Sequence, residues 1–312
     1  MNINHTPLLK NGTFLVLIAG FSWGLLGVFV RGLTRLGLST TDIAALRALG
    51  AMLCLCGFAA TACREVFKIR IRDIWCLAGC GILSVTLFNF CYFSAINLTT
   101  VNIAVVLLYT SPAFVMLMSR VFFREKLSFG KILSLISVII GCVLISGVLG
   151  SGSNFLSLKV LLLGFGSAFF YALYTIFGRF AQNRSYNGIA IVLWTFIFAG
   201  CAGGVVIDWQ NTMQAVRTGG GTFWWLLAGL VLVSTILPYW TYTAGLKKLS
   251  PSLAAIFATI EPVVGTLTGL MLFDEKLTSG AFFGMFFIIG AVLFTRENKP
   301  KLNKVEKKIT NR

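Results

Sequence analysis

The sequence predicts an all-α integral membrane protein of ten helices, built as two five-helix halves that enter the bilayer in opposite directions. Three observations carry this: an apolar composition, an alternation of basic charge from loop to loop, and a repeat at a spacing of 150 residues.

Of the 312 residues, 57% are hydrophobic and 12% are charged, against about a quarter charged in soluble domains. A soluble fold of this length has no interior large enough for that much apolar surface, whereas hydrocarbon replaces the missing interior in a bilayer. The 28 phenylalanines suit lipid-facing helices. A net charge of +16 raises nucleic acid as a partner, but placement argues against it. The basic residues sit between apolar runs and in the tail Arg296–Arg312, as expected of a cytoplasmic end beside anionic headgroups. The partners expected are the lipid bilayer and a small-molecule substrate, with no nucleic acid.

Windows of about 19 residues place helices near 13–31, 42–62, 73–95, 101–121, 129–147, 157–180, 186–207, 223–245, 252–272 and 279–295. The first run, Thr13–Val30, is long for a signal-peptide core and has no evident small-residue cleavage site, so it reads as a retained helix. Strands are set aside because barrel strands need dyad alternation, which is missing, and helices satisfy their own backbone groups in lipid. The N-terminus, the loops after helices two, four, six and eight, and the C-tail carry 20 Lys and Arg; the alternate loops carry 5, and Arg47 lies within helix two. That asymmetry puts both termini in the cytoplasm and requires an even number of spans.

Shifting the chain by 150 residues aligns Tyr92–Gly130 with Tyr242–Gly280 without a gap, with nine identities in 39 positions. The informative ones are Pro112/Pro262, Glu125/Glu275, Lys126/Lys276, Leu127/Leu277 and Gly130/Gly280. A fainter echo at 148 pairs Phe21-Ser22-Trp23 with Phe169-Phe170-Tyr171, and Arg31 with Arg179. Residues 13–147 and 157–295 therefore form two units, followed by a basic cytoplasmic tail, 296–312. Five spans is an odd number, so the second unit must be inverted. Inverted repeats make alternating access natural, because two near-equivalent halves can exchange conformations around a midplane site.

The FSWG of the first helix, the Arg of the second, and the two P…(F/L)FxEKL(S/T)xG segments resemble the EamA-type branch of the drug/metabolite transporter superfamily. The resemblance covers nearly the whole chain after its first dozen residues. It implies ten helices in two EamA units around a central cavity, and export or exchange of small metabolites, amino-acid-like compounds or drugs across the cell membrane. Substrate identity does not carry over, since members differ widely in it.

Candidate site residues follow from the cost of placing ionisable groups in a membrane. Glu261 lies nine residues beyond Ser252, about 14 Å along a helix and so near the midplane. Pro262 after it frees a carbonyl one turn earlier and bends the helix, and Pro112 is its counterpart. Glu261 is placed either to bind a cation, a proton or substrate, with proton coupling as one role, or to serve as a protonated or internally paired structural acid. Arg47, about 7–8 Å from the outer end of its helix, attracts an anionic substrate, pairs with Glu261, or snorkels to headgroups. In an EamA-type chain an Arg in the second helix recurs, which favours the first role. Trp23, Asn89, Tyr109, Tyr171, Tyr174, Trp194 and Tyr239 complete the expected cavity set, able to stack on and hydrogen-bond a planar or amphipathic solute. Tyr92 and Tyr242, near helix ends, read as interface-belt residues.

Other chemistry finds little support. The eight cysteines lie in or beside apolar runs without a metal-ligand pattern, and His5 is the single histidine, so neither disulfides, a metal nor a cofactor is assigned. There is no nucleotide-binding P-loop. A lipid-modifying enzyme would need a clustered nucleophile and base, and a sensor or assembly protein a soluble module; both remain as alternatives. Gly20/Gly24, Gly200/Gly204 and Gly265/Gly269 permit close helix approach, with a homodimer face left open.

Overall fold

A computed structural model describes residues 11–148 and 157–295. Among them, nine helices are long and apolar enough to cross a membrane: α1 Gly12–Arg35, α2 Thr40–Ala62, α3 Ile71–Leu98, α4 Val101–Phe123, α5 Phe129–Ser146, α6 Leu158–Asn183, α7 Gly188–Val206, α8 Trp209–Leu246 and α9 Pro251–Leu272. A tenth apolar helix, α10 Ser279–Phe294, is shorter. The described residues contain no strand. The tail 296–312 and His5 lie outside the described residues.

Small polar residues start the helices. Ser39, Ser128, Ser157, Asn187 and Thr278 each accept a hydrogen bond from a first-turn amide, satisfying a donor that would otherwise be orphaned. The repeat is visible at this level of detail. Arg124 and Asp274, 150 residues apart, both take the left-handed conformation, with φ of 53° and 52°. The amides of Glu125 and Glu275 then reach back to the carbonyls of Ser119 (3.2 Å) and Gly269 (3.3 Å). The Glu-Lys-Leu motif is thus a helix-ending turn used twice, and Ser128 or Thr278 begins the next helix. Wider π turns occupy Gly79–Leu87 in α3 and Leu232–Ile236 in α8, again in register at 150.

Helix contacts show that the halves are inverted. The Ser137 hydroxyl of α5 donates to the Phe287 carbonyl of α10 at 2.8 Å, and these two positions are repeat equivalents. Nearby, Ser134 bonds to Thr295 at 2.5 Å, and Gly141 packs on Gly284. Rising numbers in α5 meet falling numbers in α10, so the pair is antiparallel. The α2–α7 pair behaves likewise: Met52 lies against Gly200, its equivalent at 148, and Ala45 against Gly203. Equivalent residues touch in antiparallel fashion only beside a two-fold axis, which here passes between both pairs.

The sequence windows misplace one element. The eighth helix begins at Trp209 rather than 223, because Asp208 accepts from the amides of Gln210 (2.9 Å) and Asn211 (3.1 Å) and starts a helix there. Polar residues and glycines in 210–221 dilute the hydropathy of that stretch. Gly220, at φ 49° and ψ −128°, kinks it before the apolar part begins; a side chain would be strained in that conformation.

Candidate functional site

Two helix breaks organise the centre. α4 stops at Leu108 and restarts at Ser111; α9 stops at Ala258 and restarts at Glu261. The Thr110 hydroxyl donates to the Leu107 carbonyl (2.7 Å) and that of Thr259 to the Ile256 carbonyl (2.5 Å), satisfying carbonyls at each stop. Pro112 and Pro262 fall in the first turn of each restart, where a missing N–H costs little. The expected bend in a continuous helix is therefore a full stop and restart. Glu261 consequently heads a half-helix, whose free amides and positive dipole end favour an acid. Tyr109, from the other break, lies beside its carboxylate.

A cavity of about 580 Å³ lies in front of these breaks. Trp23, Arg47, Asn89, Tyr109, Tyr171, Tyr239 and Glu261 all line it, as do Phe88, Tyr92, Asn102 and Arg31. A second hollow of about 330 Å³ shares Trp23, Tyr92, Tyr109 and Glu261 with it and runs between α1 and α9. Arg47 is 8% exposed and, among the described residues, forms no hydrogen bond or ion pair with a side chain. Its side chain lines the cavity instead of snorkelling to the headgroups, because α2 turns this face toward α3 and α8. Asn89 is tied back to its own helix, its amide donating to the Val85 carbonyl at 2.8 Å.

The inner end of the cavity is an aromatic floor. Trp23 packs edge-on to Tyr239 (5.5 Å between ring centres) and against Tyr242 (5.5 Å), and Tyr239 packs on Tyr174 (4.9 Å) and Phe196 (5.0 Å). Trp23 also meets Tyr171, its repeat equivalent, at 6.4 Å. Below the rings, the hydroxyls of Tyr174 and Thr243 bond at 2.7 Å, as do those of Thr175 and Tyr242. The floor is sealed by bonds the protein makes with itself.

Four side chains lie elsewhere than expected. Tyr174 is in the floor, one layer behind the cavity wall, because its hydroxyl is drawn to Thr243. Trp194 is outside the cavity, its indole N–H donating to the Val66 carbonyl at 3.1 Å and holding the turn after α2 against α7. Tyr92 and Tyr242 are not belt residues: Tyr92 lines the cavity and Tyr242, 3% exposed, is part of the floor. Helix-end position suggested a belt, but the π turns rotate both tyrosines inward. Asn102 and Arg31 were missing from the expected set. Their signals were present, since Asn102 aligns with Ser252 and Arg31 echoes Arg179.

The cavity opens at one face. Arg31, Thr40, Ile96, Val101 and Asn102, from the α1–α2 and α3–α4 turns, surround its mouth. At the opposite face the amide of Gln182 donates to the Thr243 carbonyl (2.6 Å), and Arg179 donates to the carbonyls of Leu246 (2.9 Å) and Leu249 (3.2 Å).

The sequence pattern of the EamA-like transporter family matches this chain twice, over residues 10–147 and 158–296, one match on each half of the fold. The chain belongs to the EamA-like transporter family. This EamA chain is 27% identical over 309 residues to the uncharacterized transporter YojE of Bacillus subtilis (strain 168), covering 96% of the chain and 97% of that relative. It is 26% identical over 215 residues to an uncharacterized transporter of Archaeoglobus fulgidus, covering 68% of the chain and 73% of the relative. A crystal structure of another protein matches with a TM-score of 0.75 at 16% identity, over 91% of this chain and 95% of that one, so the two share a fold. The EamA chain is thus a multi-pass membrane protein of a transporter family, which points to a transporter and away from an enzyme.

Proposed function

We propose that this protein is a secondary carrier that exports or exchanges small zwitterionic metabolites, amino-acid-like in charge and apolar in body, by alternating access across the cell membrane. The observation that carries the reading is the pairing of Arg47 and Glu261 in one aromatic-lined cavity without an ion pair between them. Charges held in a membrane interior are costly. Two opposite charges left apart suit a ligand that brings a carboxylate to Arg47 and an ammonium to Glu261. Trp23, Phe88, Tyr171 and Tyr239 supply flat apolar wall between them, the usual composition of small-molecule sites. Drugs of similar charge and shape fit the same description.

Twenty basic residues against five put both termini, and the closed face, in the cytoplasm. The mouth then faces outward. Glu261 is assigned a second role, taking up a proton when no ammonium is bound, which links transport to pH.

The test is counterflow in proteoliposomes, with phenylalanine as probe and a panel of other amino acids beside it. Wild type is expected to exchange at least one of them, with a pH dependence that Glu261→Gln removes. No exchange of any zwitterion would sink the carrier reading. Exchange by Glu261→Gln with the original pH profile would remove only the proton link.

A further inference from the structure

Two repeat-related Arg–Glu sets occupy the two faces of the molecule, and they are in opposite states. At the closed face, Glu125 sits 2.6 Å from Lys131, with 8% and 11% of the two side chains exposed. Its other oxygen accepts the amide of Ser252, in the first turn of α9 from the other half, at 3.3 Å. Ser250, the residue that begins this helix, caps no amide with its own hydroxyl; the carboxylate from across the interface does so instead. Arg179 completes the closure by donating to the carbonyls of Leu246 and Leu249 at the end of α8.

At the open face the equivalent groups are idle. Glu275 and Arg31 bond to each other at 2.6 Å, and 48% of each side chain is exposed. Glu275 is far from doing for α4 what Glu125 does for α9, since Thr100 caps α4 with its own hydroxyl. The register of 150 nevertheless supplies every partner: Ile96 and Thr99 correspond to Leu246 and Leu249, and Asn102 corresponds to Ser252. Arg31, Ile96 and Asn102 already border the open mouth.

We infer that Arg179 with Glu125, and Arg31 with Glu275, are two latches that engage in turn. On closing the mouth, Arg31 and Glu275 give up their mutual bond. Arg31 moves to the carbonyls of Ile96 and Thr99, and Glu275 moves to the amide of Asn102. Glu125 and Arg179 release α8 and α9 at the other face. The inference rests on alternating access as proposed above and adds which groups decide the conformer. It also accounts for the resting state. Glu125 has Lys131 as a permanent counter-charge, whereas the equivalent of Lys131 is Ala281, so the closed-face latch is the stronger.

The test uses Ala255→Cys as a reporter. Ala255 is one turn below Ser252 and buried against Val115 and Met118 of α4, so a maleimide reaches it only when the closed face opens. Labelling of the purified full chain in detergent is followed by mass spectrometry, against the same chain with Ala255 intact. Adding Glu125→Gln is expected to raise the labelling rate about tenfold, because it removes charge-assisted hydrogen bonds of the resting conformer. Adding Glu275→Gln is expected to lower it by a similar factor, because it removes a helix cap of the other conformer while costing the resting one only a half-exposed ion pair. Shifts in the same direction, or none, overturn the inference. A second measurement does not depend on how Glu125→Gln folds: in Asn102→Cys with Glu275→Cys, mild oxidation is expected to form a disulfide, and its absence would also overturn the inference. Neither readout needs a substrate, so a failed counterflow experiment leaves this test standing.

Discussion

Replacing Arg47 by Gln tests the substrate assignment most directly. Hydrogen bonds to charged groups contribute about 1.5–3 kcal/mol. At about 1.4 kcal/mol per tenfold change, loss of the Arg47–carboxylate contact is expected to raise the half-saturating concentration of phenylalanine in counterflow by roughly 10- to 150-fold. Phenethylamine has the same ring and ammonium but no carboxylate, so the variant should carry it as well as wild type or better. Arg47→Lys should keep part of the phenylalanine affinity, since it retains the charge but loses the planar fork. Among the described residues Arg47 makes no hydrogen bond or ion pair, but its charge acts on the Glu261 carboxyl across the cavity. Removing Arg47 breaks no direct contact of that kind, so the melting temperature is expected to change by less than that of a protein losing one member of a contacting buried pair. Equal loss for both solutes would show that Arg47 shapes the cavity without binding the carboxylate. An unchanged ratio with normal transport would place the carboxylate elsewhere.

Three other outcomes are expected. Gly141→Val puts a side chain within 2.7 Å of the Gly284 carbonyl and of Ile288; overpacking costs typically 1–3 kcal/mol, and a lower melting temperature should report it. Trp194→Phe removes the bond to the Val66 carbonyl and should lower stability by about 1 kcal/mol, with half-saturation for phenylalanine unchanged. Burial raises the pKa of the Glu125 carboxyl, but bonds from Lys131, Ser250 and Ser252 and the Lys131 charge outweigh it, so the pKa falls below the usual 4.5. The latch it forms is therefore complete above pH 4.5 and lost as pH drops below that value; the closed conformer should loosen there in wild type, by hydrogen exchange at α9, and already at neutral pH in Glu125→Gln.

How much of this was legible in the chain differs from residue to residue. Glu261 and Pro262 stand out in an apolar run, since an acid and a proline there each conflict with a continuous lipid-facing helix. Arg47 was visible for the same reason, but its direction was not, because about half a turn of helix rotation separates a cavity-facing arginine from a snorkelling one. The aromatics were hardest to sort. Trp and Tyr serve in belts, floors and cavity walls with the same local sequence, so Trp194 reads as a cavity residue and Tyr242 as a belt residue although neither is one. Arg31 and Glu275 are visible in the sequence as parts of a repeat, yet nothing in the letters says that one pair is engaged and the other parked.

By itself the sequence determined the ten apolar segments, their pairing into two units and the inversion of the second, because hydropathy, loop charge and an odd number of spans are local or countable properties. The tertiary structure alone decided which side chains share the cavity, where α4 and α9 stop, and which face is closed. Those depend on helix rotation and on contacts between residues far apart in the chain, and a change of conformer would reverse the last of them without altering one residue.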